Sequence, residues 1–127
     1  MDLNFKKISI IGLGLIGTSI LHAIKAKEED ELVTFAYDIN PKHRQIVSQM
    51  KIATFVCDDI ENTVSESDLV ILAVPVGSMK KVANLIAPFL RKNTIVTDTG
   101  STKRSVISDV KPYIPDNVYF IPSHPLA

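Results

Sequence analysis

The sequence predicts an α/β fold: a doubly wound parallel sheet of about six strands, in the order 3-2-1-4-5-6, with helices on both faces. Three observations predict it. A short apolar run ends in spaced glycines and passes at once into a helical pattern. Apolar runs of strand length then alternate with helical patterns through the rest of the 127 residues. The distinctive polar residues fall where those strands end, the place where ligands bind on such sheets.

The first strand is Ile8 to Ile11, and it ends in Gly12-x-Gly14-x-x-Gly17. Ile16, Ile20 and Ile24 follow four apart, with Leu21 beside them, which is a helical stripe. Strand, glycine turn and helix form the context that a dinucleotide-binding (Rossmann) fingerprint requires. Gly12 permits the tight turn, Gly14 lets a pyrophosphate approach the backbone, and Gly17 lets the helix pack against the sheet. The first-turn amides and the helix dipole then face the phosphates.

Residues 32–37 predict a second strand, ending at Asp38. Asp38 lies 21 residues past Gly17, close to the spacing of about 20 expected of the acid that binds an adenosine ribose. A carboxylate there accepts from ribose hydroxyls and repels a 2′-phosphate, which favours NAD over NADP; Lys42 and Arg44 nearby work against that preference. A glycine turn with a chance acid is the plainer alternative.

Asn40-Pro41 predicts a helix start, with Asn40 as cap. That helix runs to about Met50 with Ile46, Val47 and Met50 on one face and His43 on its wet side. Ala53 to Val56 is a short third strand. Residues 58–64 form a short helix or turn with solvated acids. Asp68 to Val74 is a continuous apolar strand, as expected when both faces are covered. It leads through the loop 75–78, where Ser78 can cap the next helix, to a stripe of Val82, Leu85, Ile86 and Phe89. Thr94 to Thr97 is the fifth strand. It ends at Asp98-Thr99-Gly100-Ser101, before a helix through Val106 to Val110. Asn117 to Ile121 is the sixth, ending at Pro122-Ser123-His124-Pro125.

Composition excludes several classes. One domain fits in 127 residues and two do not. Fourteen basic and fourteen acidic residues cancel, and no basic stripe carries aromatics, so nucleic acid is not an expected partner. Cys57 is the only cysteine, which suits a reducing compartment, and it reads as a core residue. The histidines and acids show no metal-ligand spacing, so no metal is expected. Lys6-Lys7 before the uncharged run 8–24 is also the shape of a signal peptide or a membrane span. That run, however, holds Ser9, Thr18, Ser19, His22 and three glycines, and no small-residue cleavage site follows. The expectation is a cytoplasmic protein without a membrane segment.

Two residues are catalytic candidates. His124 leaves a strand end with Pro122 and Pro125 restricting the backbone around it. A neutral imidazole there can take a proton from a substrate hydroxyl while hydride leaves the same carbon; a surface histidine is the alternative. Ser101, at a strand-to-helix junction, is a helix cap or a hydrogen-bond partner of substrate or of His124. Lys103 is solvated or holds an anion, and Asp98 orders the loop. Gly-x-Ser-x-Gly is absent, so no hydrolase nucleophile is indicated.

Five segments carry a resemblance: Ile-Gly-Leu-Gly-Leu-Ile-Gly-Thr-Ser (11–19), Tyr-Asp (37–38), Asp-Leu-Val-Ile-Leu-Ala-Val-Pro-Val (68–76), Thr-Asp-Thr-Gly-Ser-Thr-Lys (97–103) and Ser-His-Pro-Leu-Ala (123–127). Together they resemble the prephenate and arogenate dehydrogenases of tyrosine biosynthesis. The glycine turn is shared with many dehydrogenases; Gly-Ser-x-Lys followed by His-Pro-x-Ala is more specific. The resemblance implies NAD-dependent oxidative decarboxylation of prephenate to 4-hydroxyphenylpyruvate. It implies that His124 is catalytic and polarises the ring hydroxyl, and that Ser101 helps hold that hydroxyl and the histidine. Cofactor contacts are then expected from Gly12, Gly14, Leu15, Ile16, Gly17, Asp38, Val74, Pro75 and Thr99.

The departure from the family is length. Its members resemble a nucleotide domain followed by a helical domain that carries a substrate-binding arginine and most of a homodimer interface. Residues 1–127 are therefore expected to be the NAD-binding domain alone, able to bind NAD and to turn prephenate over poorly or not at all. Other readings are arogenate as substrate, a 3-hydroxyacid or imino-acid dehydrogenase that uses a lysine from a following domain, and a non-catalytic NAD-sensing domain.

Overall fold

The alternation of strands and helices comes out as one sheet. The computed structural model describes residues 5–27, 31–100 and 103–122, with side chains in the last stretch from residue 106 onward. The elements are β1 (Lys7–Ile11), α1 (Leu15–Ala26), β2 (Val33–Tyr37), α2 (Pro41–Met50), β3 (Phe55–Val56), α3 (Ile60–Val64), β4 (Leu69–Leu72), α4 (Val76–Ile86), β5 (Ile95–Asp98), α5 (Lys103–Val110) and β6 (Tyr119–Phe120). Short 3-10 turns follow α4 and α5. The strand order is β3-β2-β1-β4-β5-β6, and every pairing is parallel. This is the predicted order.

Successive residues of a strand point to opposite faces, and β1 shows what that does. Ile10 packs with Leu21 of α1 and Val47 of α2, together with Ile8, Leu13, Ala36 and Ile52. Ile11 packs on the other face with Val64 of α3, Met79, Ala83 and Ile86 of α4, and Val106 and Val110 of α5. Each large aliphatic side chain buried in this way stabilises the fold by about 1.5–3 kcal/mol relative to exposure. The uncharged run 8–24 is thus β1, a glycine turn and α1. Among the described residues no helix is long and apolar enough to cross a membrane.

The amino ends of the strands are tied by polar groups. Asp68 accepts hydrogen bonds from the Lys6 and Lys7 amides at 2.7 and 3.0 Å, and from Arg91. Burial would raise the Asp68 carboxyl's pKa, but those two amides and the Arg91 guanidinium outweigh it and lower it. The buried Ser9 hydroxyl lies between the Thr63 carbonyl and the Ser67 hydroxyl, and Thr94 donates to the Ser67 carbonyl at 2.8 Å. Thr34 and Thr54 exchange amide-to-hydroxyl bonds of 3.0 and 2.9 Å.

Several expectations need correction. α4 begins at Val76 with Pro75 in the cap position, so Ser78 lies inside the first turn and caps nothing; its amide donates to the Pro75 carbonyl at 2.8 Å. On α2 only Val47 is buried, and Ile46 and Met50 face outward. Leu85 of α4 is likewise exposed. The edge strands β3 and β6 are two residues each, shorter than predicted. Cys57 is half-buried rather than core. Asp59 is not merely solvated: its side chain caps α3 at the Asn62 amide, 2.9 Å away.

Candidate functional site

The glycine turn joins β1 to α1 under tight steric control. Gly12 has φ +105°, a region that side chains avoid, and a Cβ there would lie 2.4 Å from the Ala73 carbonyl oxygen. Its amide donates to the Tyr37 carbonyl at 2.8 Å, so the turn passes between the ends of β2 and β4. A Cβ on Gly17 would lie 1.9 Å from the Gly12 carbonyl oxygen. Gly14 differs: its backbone is extended, no atom lies within 4 Å of where a Cβ would be, and it precedes α1 without a side-chain cap. The first-turn amides of a helix have no intrahelical partner, and here Gly14, Leu15 and Ile16 of that turn line a cleft. The packing of the turn against β2, β4 and α1 needs Gly12 and Gly17; the room beside Gly14 is left for something else.

Asp38 closes the other side of the turn. Its Oδ2 accepts from the Leu13 amide at 2.7 Å and lies 3.2 Å from His43 Nδ1, while Oδ1 accepts from the Asn40 amide at 2.8 Å. Burial alone would push this carboxyl up. The Asn40 and Leu13 amides and the His43 imidazole outweigh that and hold it below the usual carboxylate range. The side chain is 13% exposed, so it presents a fixed anion to the cleft rather than to bulk water.

Between these groups runs a cleft of about 840 Å³. Leu15 and Ile16 form one rim. Ile39, Asn40, His43 and Ile60, together with Val74, Pro75, Val76, Ser78, Lys81, Val82 and Leu85, line the cleft. Thr99 and Gly100 close the end under β5. The Thr99 amide donates to the Leu72 carbonyl at 3.1 Å, and the buried Asp98 carboxylate accepts from the Gly100 amide at 2.7 Å, so Asp98 orders this turn as expected.

The structure therefore brings Gly12, Gly14, Leu15, Ile16, Asp38, Val74, Pro75 and Thr99 to one cleft, with Gly17 directly beneath the turn. Ser101 and His124 lie outside the described residues, as does the Lys103 side chain. Among the described residues no group of three or more histidines, cysteines, aspartates or glutamates is arranged to hold a metal ion.

Two cleft features were missed in the sequence. His43 is 43% exposed, but it leans on Asp38 instead of pointing only to water. Side chains in a helix's first turn point back over its N-terminus. An α2 starting at Pro41 therefore carries His43 toward the end of β2, which was a usable signal. Leu85 gave no such sign: a cleft-lining residue and a core residue look alike in an apolar stripe.

With this geometry in place, comparison with known proteins is informative. The cyclohexadienyl dehydrogenase of Zymomonas mobilis is 46% identical over 123 residues, covering 97% of this chain and 41% of that protein. The prephenate dehydrogenase of Lactococcus lactis is 33% identical over 127 residues, covering 96% of this chain and 34% of that protein. The chain thus spans well under half the length of these relatives. Among solved structures, the prephenate dehydrogenase of Aquifex aeolicus, in complex with hydroxyphenyl propionate and NAD⁺, superimposes with a TM-score of 0.85 at 24% identity. It covers 99% of this chain and 43% of that one, a likeness of fold. Residues 21–127 match the family described as prephenate dehydrogenase, nucleotide-binding domain, and the chain belongs to that family.

Proposed function

We propose that this chain binds NAD and is the cofactor-binding portion of an NAD-dependent prephenate dehydrogenase, an oxidoreductase of tyrosine biosynthesis acting in the cytoplasm. The observation that carries this is the pairing, across one cleft, of an anion and a bare helix start. Asp38 offers a fixed carboxylate at one end, and the open space at Gly14 lies before the first turn of α1. A diphosphate fits the second and a ribose hydroxyl fits the first. Gly12 and Gly17 shape the turn, Leu15, Ile16, Val74 and Pro75 line the space between, and Thr99 borders its far end.

NAD, when bound, supplies the hydride acceptor. The chain's own residues orient the reaction. In this proposal His124 takes the proton of the ring hydroxyl and Ser101 holds that hydroxyl against it. Loss of carbon dioxide makes the ring aromatic, so positioning is the main demand on the protein. Prephenate is the first substrate to test. Arogenate is the second, because the 46%-identical relative is named for the cyclohexadienyl ring rather than for one acid. Homodimerisation through a helical domain is part of the same proposal and concerns the intact gene product.

Titration calorimetry of the chain with NAD tests the cofactor reading. Saturable one-to-one binding is expected, weakened in Asp38→Ala. No binding, or equal affinity in that variant, refutes it. Turnover of prephenate by this chain alone is expected to be slow or absent, and robust turnover would contradict the assignment to a cofactor-binding portion.

A further inference from the structure

Two side chains in consecutive positions of the first turn of α2 meet Asp38, one inside the cleft and one outside it. His43 touches the carboxylate: its Nδ1 is 3.2 Å from Oδ2, the oxygen that also takes the Leu13 amide. Arg44 faces away from the cleft. Its Nη1 donates to the Asp38 carbonyl at 2.7 Å and approaches the Ile39 carbonyl at 3.4 Å, its Nε is 3.9 Å from Asp58, and its guanidinium carbon is 5.7 Å from the Tyr37 ring centre. Its side chain is 20% exposed, and the cleft lining does not include it. One residue is thus held twice, by the carboxylate and by the main chain.

This arrangement bears on the 2′ position of the adenosine ribose. A dinucleotide with a 2′-phosphate brings roughly two negative charges to that position. It is accommodated where the acid can swing aside and a cation can turn toward the phosphate. Here the acid is tethered through both oxygens, and the nearest guanidinium is committed to carbonyl groups. Lys42, between Pro41 and His43, is exposed, and Lys81, on α4, also lines the cleft.

We propose that His43 is a specificity-determining residue that selects NAD over NADP by holding the Asp38 carboxylate in place, with Arg44 as a positioning residue that keeps the turn beneath it fixed. This rests on the NAD reading above. In this proposal His43 acts on discrimination through its contact with Asp38.

The experiment measures the dissociation constants of NAD and NADP for the chain by titration calorimetry, in wild type, His43→Ala, His43→Gln and Asp38→Ala. His43 supplies one of the three bonds to the Asp38 carboxylate and acts on the dinucleotide only through it, so the NADP-to-NAD ratio of dissociation constants is expected to fall on the order of three- to tenfold in His43→Ala, part of what a hydrogen bond to a charged group contributes. His43→Gln keeps an N–H donor and should recover most of the ratio, which a purely structural role would not do. His43→Leu fills the volume without a donor and is expected to give the alanine result should His43→Ala not fold. A folded His43→Ala or His43→Leu protein with an unchanged or larger ratio overturns the proposal while Asp38→Ala still weakens NAD. If Asp38→Ala leaves NAD binding intact, the cofactor reading and the proposal fall together.

Discussion

Replacing Gly17 with alanine sets two effects of opposite sign against each other. Gly17 is inside α1, where glycine is less favourable than alanine by about 1 kcal/mol, so propensity alone predicts a more stable protein. The structure predicts the reverse. The new methyl carbon would lie 1.9 Å from the Gly12 carbonyl oxygen, and real Cβ atoms essentially never come closer than 3.0 Å. The obstacle is main chain, held by the Gly12 amide's bond to Tyr37, so no side chain can rotate away. Either α1 lifts off the sheet or the turn deforms. Overpacking of a well-filled site costs about 1–3 kcal/mol and occasionally more, and a backbone obstacle belongs at the upper end of that range. Set against the propensity gain, the expected net loss is about 2 kcal/mol. Urea denaturation followed by far-ultraviolet circular dichroism measures it, as a lower midpoint at unchanged slope. A Gly17→Ala protein as stable as wild type, or more stable, would refute this account of the turn.

Other expectations follow from the same geometry. Gly14→Ala should leave stability within about 1 kcal/mol, since the position is an extended helix cap with open space. It should nonetheless weaken NAD on the order of tenfold by placing a methyl at the diphosphate, as calorimetry would show. Asp68 has a lowered pKa, so its ties to Lys6, Lys7 and Arg91 add stability above the unfolded carboxyl value and lose it as pH falls through the folded one. Urea midpoints should therefore drop from about pH 4 downward, and less steeply in Asp68→Asn; equal slopes would remove Asp68 from the acid response. In the intact gene product, His124→Ala should lower kcat with prephenate by about 10²–10⁴-fold, and unchanged turnover would dismiss the assignment.

Much of this was legible in the sequence because it rests on local chemistry. Ile8 to Gly17 spells a strand, a turn and a helix whichever partners surround it, and Asp38 stands at a distance set by one strand and one helix. The strand order follows from the alternation of elements together with the glycine fingerprint, which belongs to the doubly wound fold of that order. What escaped depends on direction in space. Ile46 and Met50 share the helical spacing of Val47 yet face outward, because α2 meets the sheet along a stripe that only Val47 enters. Leu85 reads as part of its helix's apolar stripe and instead lines an apolar cleft, since burial by protein and coverage by ligand ask for the same side chains. Ser78 resembled a cap because α4 was taken to start at the first residue able to cap it, whereas Pro75 can open a helix through its fixed backbone alone.

One set of polar side-chain ties lies at the amino ends of the strands, in Asp68 with Arg91, in the Ser9, Thr63, Ser67 and Thr94 group, and in the reciprocal threonine pair, while Asp38 and Asp98 tie the turns at the other end. A protein engineer seeking a new coenzyme would keep Ala73 and the tether from Asp38 to Leu13, since the glycine turn packs on the one and is tied to the other, and would vary the exposed positions around them while the foundation below stays untouched.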